Sequence, residues 1–67
     1  MKVFSERFKE LRSDEGLSAK QLGKILEVSD STIIRWENED RIPSIEQLKK
    51  IAIYFKVSAD YLIGLED

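Results

Sequence analysis

Apolar residues recur every three or four positions along the whole chain, and nowhere does a strict alternation of apolar and polar residues persist. A repeat near 3.6 residues marks one face of an α-helix, whereas alternation marks a half-buried strand. The apolar positions fall into five groups: Phe4, Phe8 and Leu11; Leu22, Ile25 and Leu26; Ile33 and Trp36; Ile45, Leu48, Ile51, Ala52 and Phe55; Leu62 and Ile63. We therefore predict an all-α fold of five helices in a single domain, residues 1–67.

Serines indicate where four of these helices begin. They are Ser18, Ser29, Ser44 and Ser58. A serine hydroxyl at this position accepts a hydrogen bond from a backbone N–H that the first helical turn leaves free. Gln21 and Gln47 follow Ser18 and Ser44 by three residues. That spacing predicts a reciprocal capping box at each of the two helix starts.

Composition excludes several classes of function. The chain has 67 residues, 13 acidic and 11 basic side chains, and neither histidine nor cysteine. Zinc fingers, thiol redox sites and serine–histidine triads each need an imidazole or a thiolate. The acidic cluster Glu37, Glu39 and Asp40 lacks the spacing of a calcium loop. We expect no enzyme, no metal or other cofactor, and no small-molecule substrate.

The lengths of the apolar runs indicate whether the protein enters a membrane. None approaches the roughly 20 residues that a membrane-spanning helix needs. The N-terminal segment is amphipathic and lacks the apolar core of a signal peptide. We expect a soluble, cytoplasmic protein that does not interact with membranes.

The second and third apolar groups are separated by a very short connection, Glu27 to Ser29. Two short helices joined by such a corner form the unit that places its second helix in the DNA major groove. The core positions of that unit are filled by Leu22, Leu26, Val28, Ile33 and Trp36. Gly23 supplies the small residue that crossing helices require, and the spacing of Trp36 with Ile33 puts the indole in the core rather than in a base-stacking site. We predict a helix-turn-helix over about residues 18–38.

With these residues in place, the chain resembles the Cro and lambda-repressor type of helix-turn-helix regulator, also called the Xre family. The resemblance runs from about Phe4 to Gly64. It rests on Leu17-Ser18, Val28-Ser29-Asp30-Ser31-Thr32-Ile33, Arg35-Trp36-Glu37-Asn38, Ile42-Pro43-Ser44 and Val57-Ser58-Ala59-Asp60-Tyr61-Leu62-Ile63-Gly64. It implies a five-helix, lambda-repressor-like domain that binds double-stranded DNA sequence-specifically, as a homodimer on a palindromic operator, and most often represses transcription.

Carried over by position, the resemblance implies base contacts from the third helix. These residues are Ser29, Asp30, Ser31, Thr32, Ile34 and Arg35. The planar fork of Arg35 can donate to guanine O6 and N7 together; the alternative is a surface ion pair with Glu39, four residues on. Asp30 can accept from cytosine N4 or serve only as a helix-start carboxylate. Ile34 can meet a thymine methyl or be an isolated surface apolar group.

The resemblance also places the starts of the second and fourth helices against DNA phosphates. The expected phosphate contacts are Lys20, Gln21, Asn38, Arg41 and Ser44; for Lys20 and Arg41 the alternative is ordinary solvated surface. The chain departs from the family pattern at two positions nearby. Ala19 stands where a phosphate-binding glutamine is common, so Gln21 compensates or affinity is lower. Glu27 stands where glycine is usual, and we expect it to take a left-handed backbone at some cost.

Three apolar residues fall off the core stripes near the C-terminal end: Ile53, Tyr61 and Leu65. Exposed apolar groups gathered in one place suggest a partner surface. We predict that they form the contact of a homodimer; for Leu65 the alternative is packing against a further domain.

The net charge of −2 is unusual for a nucleic-acid binder. Three of the 13 acidic residues lie in the last eight positions, so residues 1–59 hold 11 basic against ten acidic groups. The even balance predicts weak non-specific binding, marked salt sensitivity and reliance on dimerisation. It also keeps open an alternative function, a protein-binding module with the same fold, such as an antitoxin or the partner of another regulator.

Overall fold

The computed structural model describes residues 1–67 as five α-helices with no strand. The helices are α1 (Lys2–Asp14), α2 (Ala19–Leu26), α3 (Asp30–Glu37), α4 (Ile45–Phe55) and α5 (Ala59–Ile63). All four predicted serine caps are confirmed, and so are both capping boxes. The five-helix, all-α fold and the helix-turn-helix formed by α2 and α3 are therefore confirmed. No helix combines the length and the apolar character needed to cross a membrane.

The corner between α2 and α3 depends on two unusual backbone positions. Glu27 ends α2 in the left-handed region, with φ 62° and ψ 40°, as its place in the sequence predicts. Gly23 lies where the backbones approach most closely, because a Cβ there would be only 2.7 Å from the carbonyl oxygen of Val28. A side chain at Gly23 would push the corner apart. These two residues therefore set the crossing of α2 and α3.

The core is a single cluster of eight buried apolar side chains contributed by all five helices: Phe4, Phe8, Leu22, Leu26, Ile33, Trp36, Ile51 and Leu62. The ring of Phe8 packs edge-on to Trp36 at 5.7 Å and to Phe55 at 6.4 Å between centroids. The buried hydroxyl of Ser5 donates to the carbonyl of Trp36. The indole is thus a core group, as its spacing predicts, and α3 is packed from behind by α1.

Two residues that we assigned to apolar stripes are exposed. Ile45, the first residue of α4, is 87% exposed, whereas Leu48 and Ala52 further along the helix pack against the core. Ile25 is exposed because the buried side of α2 is centred on Leu22, Gly23 and Leu26. Both residues therefore mark their helices without contributing to the core.

The segment after α5 is fastened to α1 by one side chain. Arg7 donates to the carbonyls of Tyr61 and Glu66, and its guanidinium lies 4.3 Å from the centroid of the Tyr61 ring. The hydroxyl of Ser58 also donates to the carboxylate of Glu66. The expectation that Tyr61 is a free apolar group off the core was wrong. It is half-buried and packs against the core cluster because Arg7 holds it there.

Candidate nucleic-acid interface

Helix α3 has a buried side and a solvent side. Ile33 and Trp36 point into the core, whereas Ser31, Ile34 and Arg35 are exposed. The hydroxyl of Ser29 accepts from the N–H of Thr32 at 3.1 Å and lies 2.9 Å from the hydroxyl of Thr32. Oδ1 of Asp30 accepts from the N–H of Ser31 at 2.8 Å, so this carboxylate already serves as a helix-start acceptor.

Arg35 is held by its backbone while its side chain is free. Its carbonyl accepts from the N–H groups of Asp40 and Arg41, which folds the following loop back onto the end of α3. The ion pairs of the chain join Arg12 to Glu37 and Lys50 to Glu27, so the alternative pairing of Arg35 with Glu39 does not form. The guanidinium therefore keeps its donors available for a bound molecule.

A cleft of about 580 Å³ separates α3 from the start of α4. It is lined by Val28, Ser29, Thr32, Trp36, Arg41, Ile42, Pro43, Ser44 and Gln47. Ser29 and Thr32 of the predicted base contacts thus lie in one concave surface with Arg41 and Ser44 of the predicted phosphate contacts. Gln47, which the sequence marks only as a capping residue, is an additional polar group on this surface.

The remaining predicted phosphate contacts lie outside the cleft. Asn38 is exposed and caps the C-terminal end of α3. Lys20 and Gln21 are exposed in the first turn of α2. The side-chain oxygen of Gln21 accepts from the N–H of Ser18 at 2.8 Å, so only its amide N–H₂ is free to donate. Ala19 is half-buried against the core and offers no polar group.

The starts of α2 and α4 offer backbone donors of the same kind. In each capping box the serine hydroxyl takes one of the free N–H groups of the first turn and the glutamine oxygen takes the N–H of the serine itself. The N–H groups of Ala19 and Lys20 in α2, and of Ile45 and Glu46 in α4, have no partner within the chain. Such helix starts attract anions because N–H groups and the helix dipole point the same way.

The acidic residues at the end of α3 and after it, Glu37, Glu39 and Asp40, do not lie together as a group. No three acidic residues come together in a way that could hold a metal ion. Glu37, the last residue of α3, receives two hydrogen bonds from Arg12 of α1, at 2.6 and 3.0 Å. Arg12 also donates to the carbonyl of Leu17 at 2.8 Å. The hydrogen bonds and the charge of Glu37 raise the pKa of Arg12 although burial opposes the shift. The pair fastens the end of α3 to α1.

The three predicted dimer residues differ in how exposed they are. Ile53 is 66% exposed and lines a groove of about 310 Å³ between α2 and α4, together with Ile25 and Tyr54. Leu65 is 74% exposed. It follows Gly64, which lies close to α1: a Cβ at Gly64 would be 3.1 Å from the side chain of Val3. Tyr61 is covered by Arg7. Of the three predicted dimer residues, Ile53 and Leu65 are therefore the exposed ones.

Comparison with known proteins agrees with this geometry. The sequence pattern of the helix-turn-helix family matches residues 8–62. The chain is 36% identical over 64 residues to the HTH-type transcriptional activator BcrR of Enterococcus faecalis, covering 96% of this chain and 31% of BcrR. It is 29% identical over 62 residues to the HTH-type transcriptional regulator ImmR of Bacillus subtilis, covering 92% of this chain and 49% of ImmR. The chain thus spans less than two thirds of these relatives.

A solved structure shows the same architecture. The P22 c2 repressor, crystallised in complex with a synthetic operator, superposes with a TM-score of 0.85 at 29% sequence identity, covering 92% of this chain and 94% of the repressor chain. The family match covers well over half of the chain and includes both helices of the corner. The chain belongs to the helix-turn-helix family, in its Cro and lambda-repressor (Xre) type.

Proposed function

We propose that the chain binds double-stranded DNA sequence-specifically and regulates transcription, with α3 lying in the major groove. The observation that carries the proposal is the solvent side of α3, where Arg35 has no partner within the chain. A free guanidinium on such a helix can donate to guanine O6 and N7 together. The comparison proteins support the same function, since they include named transcriptional regulators and a repressor bound to an operator.

Phosphate contacts from the starts of α2 and α4 would fix the register of α3 in the groove. One set of donors lies at the cleft, with Arg41, Ser44 and the free N–H groups of Ile45 and Glu46. A second set of donors lies at the start of α2, where Lys20 is exposed and two N–H groups have no partner within the chain. Phosphate contacts position a protein without reading sequence, whereas base contacts specify. In this proposal the backbone N–H groups at the helix starts attract the DNA phosphates, because the nearly even numbers of acidic and basic side chains provide little net attraction.

Selection from a random pool of duplex DNA tests the proposal. We expect enrichment of a short motif, whose Kd is then measured by fluorescence anisotropy at several salt concentrations. Affinity should fall steeply as salt rises, because phosphate contacts release counterions. A pool that remains unenriched after repeated rounds would contradict the proposal.

We further propose that the chain acts as a homodimer on a palindrome. Two α3 helices about 34 Å apart would meet half-sites one DNA turn apart. The exposed residues Ile53 and Leu65 are the candidate contacts, and each is tested by its own substitution. Ile53→Glu and Leu65→Glu are compared by sedimentation on the selected duplex. The charge is expected to abolish the two-to-one complex in one variant, and two-to-one complexes in both would exclude these contacts.

For the direction of regulation we propose repression, which requires only that the protein occupy an operator overlapping a promoter. A reporter fused to the selected motif should be less active when the chain is present. The proposal includes no catalytic role, and it places the protein in the cytoplasm, where operator DNA is accessible in bacteria such as those of the relatives.

One observation favours a second candidate, a protein-binding module. The groove between α2 and α4 exposes Ile25, Ile53 and Tyr54 on a chain whose net charge is −2. Apolar surface of this kind is typical of protein contacts. The two functions separate in the selection experiment, because a protein-binding module would enrich no DNA motif.

A further inference from the structure

One apolar side chain stands on the solvent side of α3. Ile34 is 47% exposed and does not pack against the core cluster. It follows Asp30 by four residues and Ser31 by three, so the three residues share one side of the helix. Thr32, which lines the cleft, lies two positions away and therefore about 200° around the helix axis. Ile34 thus lies on the flank of α3 that faces away from the cleft.

The chemistry of the major groove offers this side chain a single kind of partner. Base edges there present hydrogen-bond donors and acceptors, and the only apolar group among them is the methyl group of thymine. A helix placed in the groove as proposed would bring Ile34 close to base edges, with Asp30 and Arg35 beside it. An apolar side chain gains free energy only where another apolar group is removed from water with it.

We propose that Ile34 is a specificity-determining residue that selects thymine through its 5-methyl group. The inference rests on the proposed function and adds to it the chemical group that is read. Arg35 then selects guanine by hydrogen bonds, and Ile34 selects thymine by apolar contact, from adjacent positions on one helix. The preferred half-site therefore contains a thymine whose methyl group matters.

Deoxyuridine provides the test, because it pairs as thymine does and lacks only the methyl group. Each thymine of the selected duplex is replaced in turn, and Kd is measured for the unchanged protein. At one thymine per half-site we expect Kd to rise about fourfold, the factor that burial of one methyl-sized group supplies. Replacement in both half-sites should raise Kd about fifteenfold, since separate positions add.

Variants assign the effect to the side chain. Ile34→Ala should bind the thymine and deoxyuridine duplexes equally, and Ile34→Val should retain most of the difference. Ile25→Ala is the matched control, because Ile25 is also an exposed isoleucine but lies on α2; it should retain the full methyl dependence. Thermal melting should be unchanged in all three variants, because neither side chain belongs to the core.

Each outcome is decisive. The inference is overturned if no thymine shows a methyl effect, if the selected half-site contains no thymine, or if Ile34→Ala keeps the dependence. In these cases an enriched motif still supports the proposed function. If no motif is enriched, the proposed function itself fails and the inference fails with it.

Discussion

The two sides of α3 differ in whether their side chains have partners within the chain. On the inner side Ile33 and Trp36 are fully buried, and Glu37 is held by Arg12 of α1. On the outer side the Arg35 side chain and Ile34 have no partner within the chain, although they lie between Ile33 and Trp36 in the sequence. The same eight-residue helix is thus fixed from behind and free in front.

This difference separates stability from recognition. Substitutions on the inner side should change the free energy of unfolding and affect DNA affinity only through the folded fraction. Substitutions on the outer side should change DNA affinity and leave unfolding unaltered. A binding surface of unsatisfied groups needs such a rigid support, because ordering the side chains and the helix at the moment of binding would weaken the complex.

Arg12→Ala should have the largest effect and would test the inner side. The variant leaves Glu37, only 8% exposed at its side chain, without its partner. Loss of one member of a largely buried pair should cost about 2–3 kcal/mol, and therefore lower the melting temperature by about 10 °C or more. Arg35→Ala is the matched control, and its melting temperature should equal that of the unchanged chain. Equal melting of all three proteins would contradict the role of the pair.

The ion pair of Arg12 with Glu37 also predicts how the stability of the fold depends on pH. Folding raises the pKa of Arg12. The ion pair therefore contributes fully to the free energy of unfolding at any pH below the ordinary pKa of arginine, and this contribution is lost only as the pH rises past the pKa of the folded state. Titration of Arg12 should therefore leave the stability difference between Arg12→Ala and the unchanged chain constant near neutral pH. Urea unfolding at several neutral pH values checks this expectation.

Gly23→Ala should have the next largest effect, because it acts on the support of α3. The new Cβ would lie 2.7 Å from the carbonyl oxygen of Val28, so the corner would have to shift. Overpacking outweighs the better helix propensity of alanine, for a net loss of about 1–2 kcal/mol. Lys24→Ala, at the exposed neighbouring position, should be nearly neutral. A Gly23→Ala variant as stable as Lys24→Ala would show that the close approach is not required.

Arg41→Ala tests the cleft beside the outer side. If Arg41 contacts phosphate, every DNA sequence should bind more weakly by the same factor, about two- to fivefold, and the salt slope should fall by about 1. Lys49→Ala is the control, because Lys49 is an exposed cation of α4 outside the cleft. Sequence-dependent losses in Arg41→Ala would assign it to base reading instead.

Glu27→Gly should have the smallest effect and the opposite sign. Glycine relieves the left-handed backbone of Glu27 but has more freedom to lose on folding, for a net gain of about 0.5 kcal/mol. The exposed pair with Lys50, at 4.0 Å, contributes little. Lys56→Gly, at the left-handed end of α4, is a matched variant with the same expected sign. Destabilisation in both would show that these positions carry no strain.

Local signals were sufficient to predict most of the fold. Serine caps, capping boxes and the left-handed Glu27 depend on residues within four positions of one another, so the sequence displays them directly. The ion pair of Arg12 with Glu37 joins residues 25 positions apart, and no sequence pattern near either residue indicates that the two meet. Arg7 holds Tyr61 across 54 positions in the same way.

The candidate site was predictable to a similar degree. The outer positions of α3 follow from the corner spacing together with the family resemblance. The exposure of Ile45 and Ile25 could not be predicted in this way, because the sequence repeat does not show which side of a helix packs against the rest of the fold. The cleft also required the structure, since it depends on how the loop after Arg35 folds back to bring Arg41 and Ser44 beside Thr32.

The most direct test of the account is to compare the sequence preferences of the unchanged chain and Arg35→Ala. Both proteins are taken through the same selection from random duplex DNA, with melting temperatures measured in parallel. We predict equal melting, an unchanged motif at all positions but one, and loss of the guanine preference there, corresponding to about 1–3 kcal/mol. A variant that keeps the full motif, or that loses affinity for every sequence alike, would contradict the claim that the outer side of α3 reads DNA through Arg35.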